Sequence, residues 1–205
     1  MADIERSPRR LPEGVETVLL AAVAGIPCIG GPISVALGRT LERSRYNIHE
    51  MVHEAVVSSG ASELLIARVQ EDERLSYLLL NALEAGERTS MAEKRRVLGQ
   101  AVGRAARNPG LISENELQVR ALQDLDVPHV EAMSVIAEAP GRHPELRADL
   151  AISKELAAYP EPVIAALVRN GIVEAEPSYA DPNAIGGLSR FGRQLLADLR
   201  SQSDS

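Results

Sequence analysis

His49 and His53 stand four residues apart with Glu50 between them, in the run His49-Glu50-Met51-Val52-His53. On an α-helix that spacing turns both imidazoles to one side, where they can grip a divalent metal such as zinc. The intervening carboxylate can then take a proton from metal-bound water. Glu73, 20 residues beyond His53, is the carboxylate whose separation suits a third ligand on a following helix. The neighbours point elsewhere. Tyr46-Asn47 before the run and Glu54 after it make the same residues read as the exposed polar flank of an amphipathic helix, and no metal or other cofactor is expected.

Arg95, Arg96, Arg104 and Arg107 form the one local basic concentration, at spacings that could line a helix face and meet phosphate or an acidic partner. A charge run of this kind in a helical pattern is expected to be a solvated face, with Glu93 to Arg96 in water. Cys28 is the single cysteine, so neither an intramolecular disulfide nor a cysteine-based zinc site can form, which suits a reducing cytoplasm. It lies in an apolar run that disfavours the thiolate, and a small core residue is expected there. His129 and His143 flank a helical pattern and should make local surface or cap contacts. The chain holds no phosphate-binding G-x-x-x-x-G-K-[ST], no G-x-G-x-x-G after a strand and no G-x-S-x-G elbow. A non-enzymatic protein is the expectation.

The elements that must position these residues are helical. In 205 residues there are 28 alanines, no tryptophan and one phenylalanine, a balance that favours close-packed helices over sheets. Val35, Leu37, Leu41, Ile48, Val52, Ala55 and Val56 recur mainly at three and four, which predicts a helix through 31–58 that Gly60 ends. Ser62 begins the next stretch, through Arg88, with a leucine stripe and Glu71-Asp72-Glu73-Arg74 on its wet face or at a break. Thr89 or Ser90 is the expected cap of the following helix, which Asn108-Pro109-Gly110 stops. Ser113 with Glu116 three residues later has capping-box spacing. This middle reads as a bundle.

Residues 1–13 carry charge and two prolines without periodicity and are expected to be a mobile leader. From Val18 to Gly38 no charged residue appears, a run long enough to span a membrane. Gly25, Pro27, Gly30, Gly31 and Pro32 break it, so two apolar helices joined by a turn fit better than one spanning helix. The expectation is a buried hairpin or a contact between copies, with membrane contact through 18–38 as the alternative.

The last part orders itself as three helices, a strand, a Pro- and Asn-containing loop, a second strand and a helix. Leu167 to Val173 (LVRNGIV) and Leu188-Ser189-Arg190-Phe191-Gly192-Arg193 before Leu195-Leu196 carry a resemblance to the winged helix-turn-helix domain of bacterial multiple-antibiotic-resistance regulators, over roughly 127–200. The resemblance implies a third helix in the major groove and a wing on the DNA backbone. Tyr159, Pro160, Glu161 and Pro162 stand where the reading helix starts, and none makes bidentate base contacts. Glu174, Glu176 and Asp181 give the wing an acidic character. Residues 121–205 hold 7 basic and 13 acidic side chains, net −6, against 15 and 16, net −1, before them.

Two further resemblances bear on function. His49 to His53 is similar to the zincin peptidases over these five residues alone, and the strand that precedes the metal helix in that family has no counterpart in the helical and apolar pattern here. Residues 15–137 look like bacterial and phage helical proteins of the abortive-infection alpha type, which implies a part in phage exclusion. With a net charge of −7, no overall field draws nucleic acid or an anionic membrane. The fold expected is mainly α: a leader (1–13), a helical domain with an apolar hairpin at its start (14–126), a degenerate winged helix of α+β type (127–200) and a frayed tail (201–205). The function expected is contact with a protein partner or with further copies in the cytoplasm. A DNA-binding regulator is the alternative, and a zinc peptidase a second one.

Overall fold

The computed structural model describes residues 47–175 and 184–202. Residues 1–46, which include the expected leader and the apolar run 18–38 with Cys28, residues 176–183 with Glu176 and Asp181 of the expected wing, and residues 203–205 lie outside the described residues. Nine α-helices and one two-stranded sheet make up the described part. Helix α1, helical over 47–59, ends where Gly60 takes φ +93, in the left-handed region that favours glycine. α2 spans Ser62–Glu71 and α3 Glu73–Arg88. The Glu71–Arg74 stretch is a break: Asp72 is extended, and its carboxylate accepts from the backbone N–H groups of Arg74 and Leu75, capping α3.

α4 (Ala92–Arg107) lies at the centre, with Val97, Leu98, Ala101 and Val102 wholly buried. Neither Thr89 nor Ser90 caps it; Met91 holds the cap position, and Thr89 Oγ1 accepts from the Met91 N–H instead. Asn108 ends α4, a single 3-10 turn (Pro109–Leu111) follows, and α5 runs Ile112–Asp124. The capping box expected at Ser113 does not form, because the cap of α5 falls two residues earlier, at Leu111. Ser113 and Glu116 accept from the Arg74 guanidinium instead, at 3.0 and 2.8 Å, tying α5 to α3. That bond raises the Arg74 pKa further above its ordinary value.

The close approach of α1 to α4 is made by Gly99 and Gly103. A Cβ on Gly99 would lie 2.1 Å from the Met51 carbonyl oxygen, and one on Gly103 would lie 2.4 Å from that of Ala55. Two backbones therefore touch where side chains would hold them apart.

α6 (Val127–Arg142) starts with a reciprocal cap: Asp126 accepts from the His129 N–H, and His129 Nδ1 accepts from the Asp126 N–H at 3.0 Å. α7 (Ala148–Leu156) and α8 (Glu161–Arg169) follow, and Gly171 at φ +64 turns the chain into β1 (Val173–Ala175). β2 (Ile185–Leu188) pairs antiparallel with it, Val173 opposite Leu188 and Ala175 opposite Ile185. Ser189 caps α9 (Arg190–Ser201) by accepting from the Gly192 N–H at 3.0 Å. The order of three helices, two strands and a helix is the one read from the sequence.

One hydrophobic cluster runs from Ile48 to Leu199 and crosses the expected boundary at 126/127 without a gap, with Leu122, Leu125, Ala132 and Met133 all inside it. Polar bonds cross it too. Gln118 donates to Asp198 at 3.0 Å, and Arg96 donates to the Gln202 carbonyl at 2.8 Å, so the last helix is fastened to the first half. Among the described residues no helix is long and apolar enough to cross a membrane.

Candidate functional site

The His-Glu run lies on α1, and the packing of α1 on α4 decides what its side chains meet. Glu50 is drawn inward. Its Oε2 accepts from Arg95 Nε at 2.9 Å and Nη2 at 2.8 Å, and its Oε1 accepts from Arg96 Nε at 2.9 Å. The side chains of Arg95 and Glu50 keep only 6% and 17% of their exposure, so the pair is largely out of water. Arg95 Nη1 also reaches the Thr89 carbonyl at 3.3 Å. One carboxylate thus serves two guanidiniums, and both its oxygens are engaged by donors that hold α1 on α4.

These contacts correct two expectations. Glu93 to Arg96 is not a solvated face, because Lys94 and Arg95 are buried. Nor is the whole His/Glu run an exposed flank: His53 is exposed, while Glu50 is engaged and His49 Nε2 is enclosed with no hydrogen-bond partner among the described residues. Lys94 Nζ donates to the Leu125 carbonyl at 2.5 Å, and burial pulls its ammonium below the ordinary lysine range, with Asp126 and Asp124 pushing back.

Glu73 begins α3 in an exposed position and is not brought to the histidines; among the described residues no three His, Cys, Asp or Glu side chains gather to hold a metal. Purified protein should therefore carry well under one equivalent of zinc by elemental analysis, and His53→Ala should leave stability within about 0.5 kcal/mol of wild type. Stoichiometric zinc lost in that variant would restore the metal reading.

The other surface with a chemical character of its own is that of 127–200. Its cations are mostly taken. Arg142 and Arg200 both bond Glu138, at 2.6 and 2.8 Å, and hydrogen bonds from Arg200 and then Arg142 hold that carboxyl below its usual range. Arg169 and Asn170 converge on Asp124, each at 3.1 Å; the bond from Asn170, then the one from Arg169, lowers its pKa. Arg147 pairs with Asp149, and Arg193 donates to the Leu188 carbonyl. Lys154, Arg190 and Arg193 are the exposed cations of this part with no acidic partner among the described residues.

α8 turns Val163, Ala166 and Leu167 inward and leaves Glu161, Pro162, Ala165, Val168 and Arg169 outside. β1 presents Glu174 to solvent. Between the start of α4 and the outer side of α6 lies an open cleft of about 350 Å³, lined by Val127, Val130, Val135 and Tyr159 with Glu131 as its one charged group. At the start of α8, Tyr159, Pro160, Glu161 and Pro162 are legible in the sequence as residues that make no bidentate base contact. The hold of Arg95 and Arg96 on Glu50 is not legible there, although Lys94, Leu98, Ala101 and Ala105 share one helical stripe and mark Lys94 as inward-facing. The chain matches no family model, no curated protein and no solved structure.

Proposed function

We propose that the protein is non-enzymatic and works through contacts with other protein, residues 127–200 being a winged helix whose reading helix has lost the chemistry for DNA. One observation carries this reading: the outer face of α8 offers a carboxylate, three apolar side chains and a single arginine already bonded to Asp124. A base-reading helix needs Arg, Lys, Asn or Gln aimed outward near its start. Phosphate contact needs a local excess of cations, and here Arg200, Arg169 and Arg147 each stand beside a carboxylate, Glu138, Asp124 and Asp149, that offsets their field, while Glu174 would meet the backbone with like charge. The apolar, weakly charged face that remains is the composition of a protein contact.

The order of three helices, two strands and a helix favours the transcriptional-regulator reading, and binding to duplex decides between the two. In a filter-binding assay at about 50 mM salt, where phosphate contacts are strongest, duplex DNA of mixed sequence should bind more weakly than about 10⁻⁴ M. Retention that falls steeply as salt is raised would replace the protein-contact reading by the DNA-binding one.

A further inference from the structure

The outer face of α8 is self-complementary. Glu161, Pro162, Ala165, Val168 and Arg169 are its exposed residues, and Val168 keeps 55% of its exposure. They fall within about a third of the helix circumference, given 100° per residue. Their order along the axis is symmetric about Ala165. Glu161 and Arg169 lie equally far from it on either side, and so do Pro162 and Val168. A two-fold axis between the Ala165 residues of two antiparallel copies therefore brings Glu161 of each copy level with Arg169 of the other, within reach of their long side chains, with Pro162 and Val168 on the flanks. The small methyl of Ala165 faces itself where the helices cross.

We propose that this face pairs with itself, α8 lying antiparallel to α8 of a second copy in a symmetric homodimer. The inference rests on the protein-contact reading above and names the partner as this chain. A closed two-fold contact requires a patch in which residue i meets j and j meets i, and this short helix meets that condition in charge through Glu161 and Arg169. The antiparallel arrangement also sets the dipoles of the two helices against each other, with the acidic start of each beside the basic end of its mate. Arg169 need not give up Asp124, since that pair is exposed and a guanidinium has five donors. Helices of nine residues make a small contact, so the dimer belongs to the weak, reversible class.

Sedimentation equilibrium of the full chain over a concentration series should show a monomer–dimer equilibrium. Ala165 is exposed, so charges placed there are tolerated by the fold, which circular dichroism checks. Ala165→Glu sets two like charges on the axis and should raise the dissociation constant about a hundredfold, and Ala165→Lys should do the same. An equimolar mixture of these two variants should dimerise at least as well as wild type, because opposite charges then meet. That recovery occurs only where residue 165 faces itself. A dimer indifferent to both substitutions, or a wild-type monomer at every concentration, overturns the pairing and leaves the protein-contact reading standing. A chain that binds duplex and loses it in Ala165→Glu overturns both.

Discussion

Alanine at Gly99 or at Gly103 is expected to destabilise the protein by about 3 kcal/mol, and the sign of that change is the informative part. Helix propensity alone predicts the opposite, since exchanging glycine for alanine inside a helix gains about 1 kcal/mol. Both residues lie within α4, and neither has a positive φ, so no conformational need for glycine opposes the gain. What opposes it is space. The new methyl on Gly99 would sit 2.1 Å from the Met51 carbonyl oxygen and 2.8 Å from Glu54 Cβ. On Gly103 it would meet the Ala55 carbonyl oxygen at 2.4 Å and Ser58 Cβ at 2.5 Å. Most of these neighbours are backbone or sit at the root of a side chain, so no rotamer change relieves them and α1 must move bodily away from α4.

Gly141→Ala provides the control. It stands in α6 with nothing within 4 Å of the new carbon, and should stabilise by about 0.5 kcal/mol through the unfolded chain. Urea midpoints for the three variants decide the matter at unchanged slope. Stabilisation at all three sites would mean that α1 does not lie on α4 as described. The double variant should fail to fold, although the two losses will not add simply, because one shift of α1 relieves both contacts.

The regular parts of this architecture could be read in advance for a physical reason. Gly60 and Gly171 end helices because only the left-handed turn lets the chain leave there, and Ser189 caps α9 with the hydroxyl its type provides. Those are local effects within one turn of chain. The misread residues depend on partners beyond their own turn of chain. Ser113 and Glu116 had the right spacing for a cap but meet Arg74, 39 and 42 residues away. Thr89 had a capping hydroxyl, but its position is fixed by burial and by the Arg95 guanidinium on its carbonyl.

Lys94, Arg95 and Arg96 read as a wet charge run because charge is normally outside. The burial of Lys94 and Arg95 follows from a carboxylate and two carbonyls waiting on other elements, at Glu50, Leu125 and Thr89. The stripe that Lys94 shares with Leu98 and Ala101 was the one local sign. The candidate site had the same character. The His-Glu spacing was plain in the sequence, while the fate of the glutamate was decided 45 residues further along, where Arg95 lies.

Glu50→Ala should cost about 4 kcal/mol, because it leaves a buried guanidinium without its counter-charge. Arg95 has 6% exposure and cannot turn to water without breaking its bond to Thr89; Arg96, at 28%, would lose the carboxylate that orients it toward the Gln202 carbonyl. The loss should therefore reach α9 as well as α1, appearing as faster amide exchange in the last helix before global unfolding. Replacing both partners, Glu50→Leu with Arg95→Leu, should recover most of the stability, since two apolar side chains need no mutual compensation, and the double-mutant cycle gives the coupling directly. His53→Ala, one turn along the same helix and exposed, should change almost nothing. This contrast separates the two roles open to the glutamate. A residue kept to activate water can be removed with the fold intact, whereas one that joins α1 to α4 cannot. A Glu50→Ala protein as stable as wild type would free the carboxylate from its structural duty and return it to the candidates for chemistry.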